Sequence, residues 1–378
     1  MMSARSWGLD VGSTGIKAVE ITRTWKGRRV TNYGFFPFSR KESEGLRREK
    51  LRCLGEILPK VGKNGEGLVL PLASHRTVVH RIPLPFRDRK KNEKVVKFEV
   101  EPLLPFPIDR VVVDFYSSEK NRNEKGALVF AVQKEDLGEQ ISLLREAGLD
   151  PESVVPEGLA LFWLAKGLGI TSGTGALLDL GHEKTTMILW CDDSLFLVRS
   201  IPVAGGAIAR AVRQASPLSP RESGDELNQR GGEPGMEPVM APVLGRLAEE
   251  IWRTLFSYEY APEGRPVENI FLTGGVALLP GVEQILGKHL QKPVTLLEGG
   301  ENTSSFFQEV PREHRPALAV ALGAALRGAS SDRINFRKEE FSSSQKAQKA
   351  KTQVRILVIY AVILVALGMG SLLSNLYL

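Results

Sequence analysis

An aspartate, a glycine two residues on, two hydroxyl side chains and a lysine stand at Asp10, Gly12, Ser13, Thr14 and Lys17. Glycine just past a strand end enters φ > 0 cheaply and makes a tight turn whose backbone N–H groups can face an anion. The lysine adds positive charge. A carboxylate beside a phosphate chain is repelled unless a cation lies between them, a role that suits Mg²⁺ with its retained waters. One Asp-x-Gly alone is as well explained by a plain hairpin turn. The stretch recurs, however, in Leu178-Asp-Leu-Gly-His-Glu-Lys-Thr-Thr-Met-Ile-Leu-Trp190, which repeats the Leu-Asp-aliphatic-Gly core with Asp179 and Gly181. Two such turns, each ending an apolar strand, favour a phosphate cradle built from a duplicated unit.

The elements that must position these residues follow from the same pattern. Each copy runs through a turn, at Trp25-Lys-Gly27 or Cys191-Asp-Asp-Ser194, into another strand, so two β-meanders in tandem are expected. Glu268-Asn-Ile-Phe-Leu-Thr-Gly-Gly-Val-Ala-Leu-Leu-Pro-Gly-Val282 reads as a buried strand, a turn at Gly274 and Gly275, and a helix begun near Pro280. Those glycines would let a flat base or ribose approach the backbone. Val154-Val-Pro-Glu157 reads as a strand feeding an apolar helix with Glu157 at its start, where an acid also serves the helix dipole. The run Val243, Leu247, Ile251, Leu255 is a core-facing helix. The tract 216–236, dense in Pro, Gly and Ser, reads as a loop.

The chain has 378 residues, 42% of them hydrophobic, enough for two domains with cores of their own. Its two cysteines, Cys53 and Cys191, lie far apart and form no disulfide or zinc pattern, which fits a reducing compartment. From Ile356 to Leu378 no residue is charged, and about 20 such residues cross a bilayer as a helix. Before it, Arg333, Arg337, Lys338, Lys346, Lys349, Lys351 and Arg355 outnumber Asp332, Glu339 and Glu340, which places the N-terminal side in the cytoplasm. These residues carry much of the net charge of +6 and suit anionic membrane lipid; no basic cluster interleaved with aromatics points to nucleic acid.

The order of hairpin, insertion, acid plus helix, second hairpin, second insertion and Gly-Gly turn resembles the actin-like ATPase superfamily. Within it the chain is most similar to the PilM family of type IV pilus machines and the cytoplasmic half of GspL from type II secretion. Ile82-Pro-Leu-Pro85, Leu104-Pro-Phe-Pro-Ile-Asp109, Leu143 to Pro151, Ile201-Pro-Val-Ala-Gly-Gly206 and Ala317 to Arg327 carry the likeness beyond the phosphate turns. The resemblance implies an α/β, duplicated two-lobe actin-like fold. Residues 1–156 would form the first lobe, with a small inserted subdomain at about 72–150, and 157–328 the second; a basic linker (329–353) and a transmembrane helix (354–378) would follow.

The resemblance also implies ATP and Mg²⁺ as cofactors. Asp10 and Asp179 would hold the metal through water, Ser13, Thr14 and Lys17 would face the β- and γ-phosphates, and Gly12, Gly181 and Thr185 would shape the two loops. Gly274 and Gly275 would floor the nucleoside, and Glu157 would orient an attacking water. His182 reads as a solvent-facing turn residue. The PilM family docks a short Ile-Asn-aliphatic peptide of its membrane partner PilN, and Arg333-Ile-Asn-Phe-Arg337 carries that pattern here, so the chain resembles both partners joined, as in GspL. The implied function is a membrane-anchored, ATP-binding scaffold of a pilus or type II secretion machine. It would recruit the motor ATPase, contact other inner-membrane platform proteins and self-associate. Alternatives are a sugar-kinase-like phosphotransferase and an FtsA-like membrane-bound filament former.

Overall fold

The computed structural model describes residues 4–25, 27–39, 43–61, 65, 67–118, 126–215, 236–297, 309–329 and 334–342. Strands β1 (Ala4–Val11), β2 (Gly15–Thr24) and β3 (Gly27–Pro37) form an antiparallel meander. After helix α1 (Ser43–Val61), strand β4 (Leu68–Leu72) enters parallel to β1. All five residues of β4 are buried, as suits a central strand with neighbours on both edges. The insertion that follows contains β5 (Thr77–Ile82), α2 (Arg89–Val100), β6 (Val111–Tyr116), β7 (Ala127–Gln133) and α3 (Lys134–Glu146). Its strands make a sheet ordered β5-β7-β6 with a small core of its own around Val113, Phe115 and Val129. Strand β8 (Ser153–Pro156) then pairs parallel to β4 and completes a sheet ordered β3-β2-β1-β4-β8.

The second half repeats this plan. Strands β9 (Thr174–Leu180), β10 (Thr185–Cys191) and β11 (Ser194–Ile201) form the meander, closed between β10 and β11 by Asp192 and Asp193, both at positive φ as a tight hairpin requires. Helices α5 (Gly205–Ala215) and α6 (Glu237–Glu259) cover it, α6 burying Val243, Leu247, Ile251 and Leu255. Strand β12 (Asn269–Thr273) runs parallel to β9; helix α7 (Val282–Leu290) and strand β13 (Val294–Leu296) complete the order β11-β10-β9-β12-β13. The tract 216–235 and the apolar run 356–378 lie outside the described residues. Among the described residues no helix is long and apolar enough to cross a membrane.

Two helices join the lobes. Helix α4 (Glu157–Gly167) is buried along its whole length from Glu157 to Ala165, as its lack of a polar face requires. It leaves the first sheet after β8 and packs against β10 and β11 of the second, with Gly158 seated against Val198. Helix α8 (Ala319–Ala325) makes the reverse crossing: it follows the second sheet and lies on β1, β2 and β4 of the first. Its small residues allow backbone-to-backbone contact. A Cβ on Gly323 would run into the Ala160 carbonyl of α4, and one on Gly8 into the Ala321 carbonyl. One continuous core therefore includes Leu9 and Leu70 of the first lobe, Phe162 of α4, Leu322 of α8, and Leu177 and Trp190 of the second lobe.

Candidate functional site

Between the lobes lies a crevice of about 240 Å³, lined by Asp10, Gly12, Ser13, Thr14 and Lys17 of the first hairpin and Asp179, Gly181, His182, Glu183 and Lys184 of the second. Glu157, Gly274 and Gly275 also line it. Thus all but one of the residues expected from sequence meet at one place. The exception is Thr185, which is fully buried outside the crevice with its hydroxyl donating to the Val203 carbonyl (2.7 Å).

The two hairpins are built alike. The Gly12 N–H donates to the Gly15 carbonyl (3.0 Å), and the Gly181 N–H to that of Lys184 (3.1 Å), the same spacing in each copy. Contrary to expectation, neither glycine adopts a positive φ; each is suited to its turn because a Cβ would crowd the facing carbonyl, with the Gly15 oxygen 3.1 Å from a Cβ on Gly12 and the Lys184 oxygen 2.8 Å from one on Gly181. Ser13 and Thr14 are the first-loop residues facing the crevice. In register, Asp10 opposes Lys17 and Asp179 opposes Thr186. Lys17 Nζ contacts Asp10 Oδ2 at 2.9 Å. Burial works against the Lys17 ammonium, but Asp10, joined by Asp179 and Glu157, outweighs it and holds the group above its usual range.

The second hairpin has no lysine opposite its aspartate; it supplies one from Lys184 instead. The Lys184 ammonium bonds the Glu157 carboxylate and also donates to Thr186 Oγ1 (2.8 Å). Glu157 accepts a further hydrogen bond from the Ser74 N–H (2.7 Å), at the entry to the insertion. This acid is therefore not a surface residue serving the helix dipole: it is 6% exposed and ties three elements together. Burial pushes its carboxyl up, but Lys184 and Ser74 prevail and hold it below the usual carboxylate range.

Asp179 behaves oppositely. Burial, and then the nearby Glu157 charge, raise its pKa to about 7, against the pull of Lys184 and Lys17. Gly274, at φ +88°, allows this carboxylate its position, since a Cβ there would lie 2.6 Å from Asp179 Oδ1. Gly275 faces open space, with nothing within 4 Å of an added Cβ. The Gly274 N–H and the Thr273 hydroxyl both donate to the Pro316 carbonyl, which pins this turn to the start of α8.

Lys50, His75 and Arg76 also line the crevice. They come from α1 and from the entry to the insertion, and no local motif marks them. Lys184 lies inside the repeated stretch, five residues after Asp179, but the sequence does not single it out. Burial, then Lys184 and Arg76, push the His75 imidazole below its usual range, which favours its neutral form. His182 also lines the crevice rather than facing solvent alone, and its carbonyl accepts the Gly206 N–H (2.6 Å).

The lining thus carries Lys17, Lys50, Arg76 and Lys184 against Asp10, Glu157, Asp179 and Glu183. Cations on both sides suit a phosphate chain, and aspartates on opposed hairpins suit a hydrated divalent ion between them.

Duplicated meanders, crossing helices and an acid-glycine turn from each lobe at a shared crevice define an actin-like fold. The chain belongs to the family of type IV pilus assembly protein PilM, whose model matches residues 8–329. Among solved structures it is similar to that of the PilM-PilN type IV pilus biogenesis complex, at 24% identity over 86% of this chain and 98% of that chain, with a TM-score of 0.71. It is also similar to ethanolamine utilization protein EutJ from Carboxydothermus hydrogenoformans, at 15% identity over 86% of this chain and 90% of that one, with a TM-score of 0.51. The cytoplasmic domain of EpsL, an inner membrane component of the type II secretion system of Vibrio cholerae, matches at 13% identity over 90% and 100% of the two chains, with a TM-score of 0.47.

Proposed function

We propose that the crevice holds ATP with Mg²⁺ and that the protein is a nucleotide-binding scaffold of a pilus or secretion assembly machine. The observation that carries this reading is the convergence of Asp10, Lys17, Asp179 and Gly274 from both lobes on one crevice. Asp10 and Asp179 would flank the hydrated metal, Lys17 and Lys184 would neutralise the phosphates, and Gly275 would leave room for the nucleoside. A bound metal would supply charge neutralisation of the phosphate oxygens. Glu157, ion-paired in the resting site, is the candidate for orienting a water.

The segment 334–337 supports the platform role. Ile334, Asn335, Phe336 and Arg337 are all at most 5% exposed. Asn335 Oδ1 accepts the Val154 N–H (3.0 Å), its own N–H donates to Asp114 Oδ2 (2.8 Å), and the Phe336 N–H donates to the Val154 carbonyl (2.8 Å). The similar PilM is in complex with PilN. Here a segment with the PilN-like pattern is seated by the chain itself. In this reading the apolar run 356–378 anchors the protein in the inner membrane, and the actin-like body recruits the motor ATPase.

Titrating the purified chain with a fluorescent ATP analogue and Mg²⁺ tests the nucleotide half. Asp10→Ala and Lys17→Ala should each weaken binding at least about tenfold, the worth of a charge-assisted contact. Binding indifferent to both changes defeats it. Crosslinking in membranes that recovers no pilus or secretion component defeats the scaffold half.

A further inference from the structure

Far from the crevice, the turn joining β2 to β3 exposes a tryptophan among arginines, a basic-aromatic cluster at odds with the expectation that the chain has none. Trp25 is 87% exposed, and Arg23, Arg28 and Arg29 surround it in sequence. Arg23 and Arg28 are directly opposed across the two strands. Like charges so placed destabilise a sheet, and among the described residues neither has an acidic partner. Both line a cavity of about 190 Å³ with Ser6, Glu152 and Arg327, the last at the end of α8. Burial, and then Arg23, depress the pKa of Arg28, so the cluster strains against its own charge.

We propose that this hairpin end is a contact site for an anionic lipid surface. A phosphate headgroup would relieve the opposed guanidiniums of Arg23 and Arg28, while Trp25 would sit at the level of the headgroups, where an amphipathic ring is favoured. Bidentate guanidinium geometry suits a phosphate oxyanion better than lysine would. The chain permits this placement. Arg327 Nη2 donates to the Ile334 carbonyl (3.1 Å), so the segment 334–342 begins beside the cavity, and it ends against α2 and α3, where Glu339 pairs with Lys97 and Glu340 with Lys134. Residues 343–355 can extend roughly 45 Å before the apolar run begins. The contact would fix which side of the actin-like body faces the bilayer, which the apolar run alone would leave free to swivel.

The test is hydrogen exchange of residues 20–30 in the full-length chain, incubated with vesicles of phosphatidylcholine alone or mixed with phosphatidylglycerol. Slower exchange of this hairpin only with the anionic vesicles is expected, weakening at high salt as the charges are screened. An R23Q/R28Q double variant should lose the protection, with an affinity loss of roughly thirtyfold for the two charges, and Trp25→Ser should lose part of it. Equal exchange on both vesicle types, or protection that survives R23Q/R28Q, overturns the proposal. So does equal protection by inorganic phosphate with phosphatidylcholine vesicles, which would make the cavity a free-anion pocket.

Discussion

The Lys184 ammonium is bonded to the Glu157 carboxylate, so the acid at the start of α4 is held by a cation of the second hairpin. Both groups are nearly out of solvent, and breaking one side of such a pair leaves a buried charge unmatched, a cost of about 3–5 kcal/mol. Lys184→Met should therefore lower stability by about that amount in thermal or denaturant unfolding. Glu157→Leu combined with Lys184→Met should recover most of the loss. A Lys184→Met chain as stable as the wild type would show that the pair does not form.

Asp179 makes the site sensitive to pH. Its folded-state pKa of about 7 lies above the unfolded value of roughly 4, so the folded state binds more protons between them. Stability from this group is complete below about pH 4 and is lost as pH rises through 7. Metal binding needs the ionised form, so Mg²⁺-nucleotide affinity should rise about tenfold per pH unit below 7 and level off above it. Asp179→Asn should flatten the profile. Titrations at pH 6 and pH 8 with equal affinities for the wild type would refute this.

Gly274 and Gly275 offer a matched pair of substitutions. An alanine at 274 must adopt φ +88° and place its Cβ 2.5 Å from the Leu180 carbonyl oxygen and 2.6 Å from Asp179 Oδ1. Strain of this kind costs of order 1–3 kcal/mol, so Gly274→Ala should lower Tm and weaken metal-nucleotide binding together. Gly275→Ala meets nothing within 4 Å and should leave Tm unchanged. If it nevertheless weakens binding of an ATP analogue, the ligand passes over residue 275. A stable Gly274→Ala variant with full affinity would contradict the steric argument.

The hairpins and the Gly274 turn were legible in the sequence because their chemistry is local: an acid ends a strand and a glycine turns it. The two threonines show where such reading stops. Side chains alternate across a strand, so an offset of one residue changes the face. The sequence pattern pointed to Thr185, but it pairs with Leu180 and points into the protein, while its neighbour Thr186 opposes Asp179 and bonds Lys184. Lys50, His75 and Arg76 reach the crevice only through folding of α1 and the insertion, and no spacing encodes that approach. Likewise, the crossing of α4 and α8 rests on Gly323 meeting Ala160, a contact invisible until both helices are placed.

The same distinction governs the segment 334–337, whose pattern was visible but whose seat was not. Asn335 Oδ1 accepts both the Val154 N–H and the Arg337 N–H (3.0 Å each), and Phe336 is fully buried. Asn335→Ala would leave two buried donors without partners, each costing about 1–3 kcal/mol. Phe336→Ala would open a cavity worth about 3–5 kcal/mol. If the segment is an integral part of the body, either change should lower Tm for the whole unfolding transition. If it is a docked strap, the body should stay folded while amide exchange accelerates at β8 and in β6 near Asp114. Hydrogen exchange separates the two, and a synthetic peptide spanning 333–341 should restore protection only in the strap case. Unchanged exchange at Val154 in Asn335→Ala would mean that the seat contributes nothing to holding the segment.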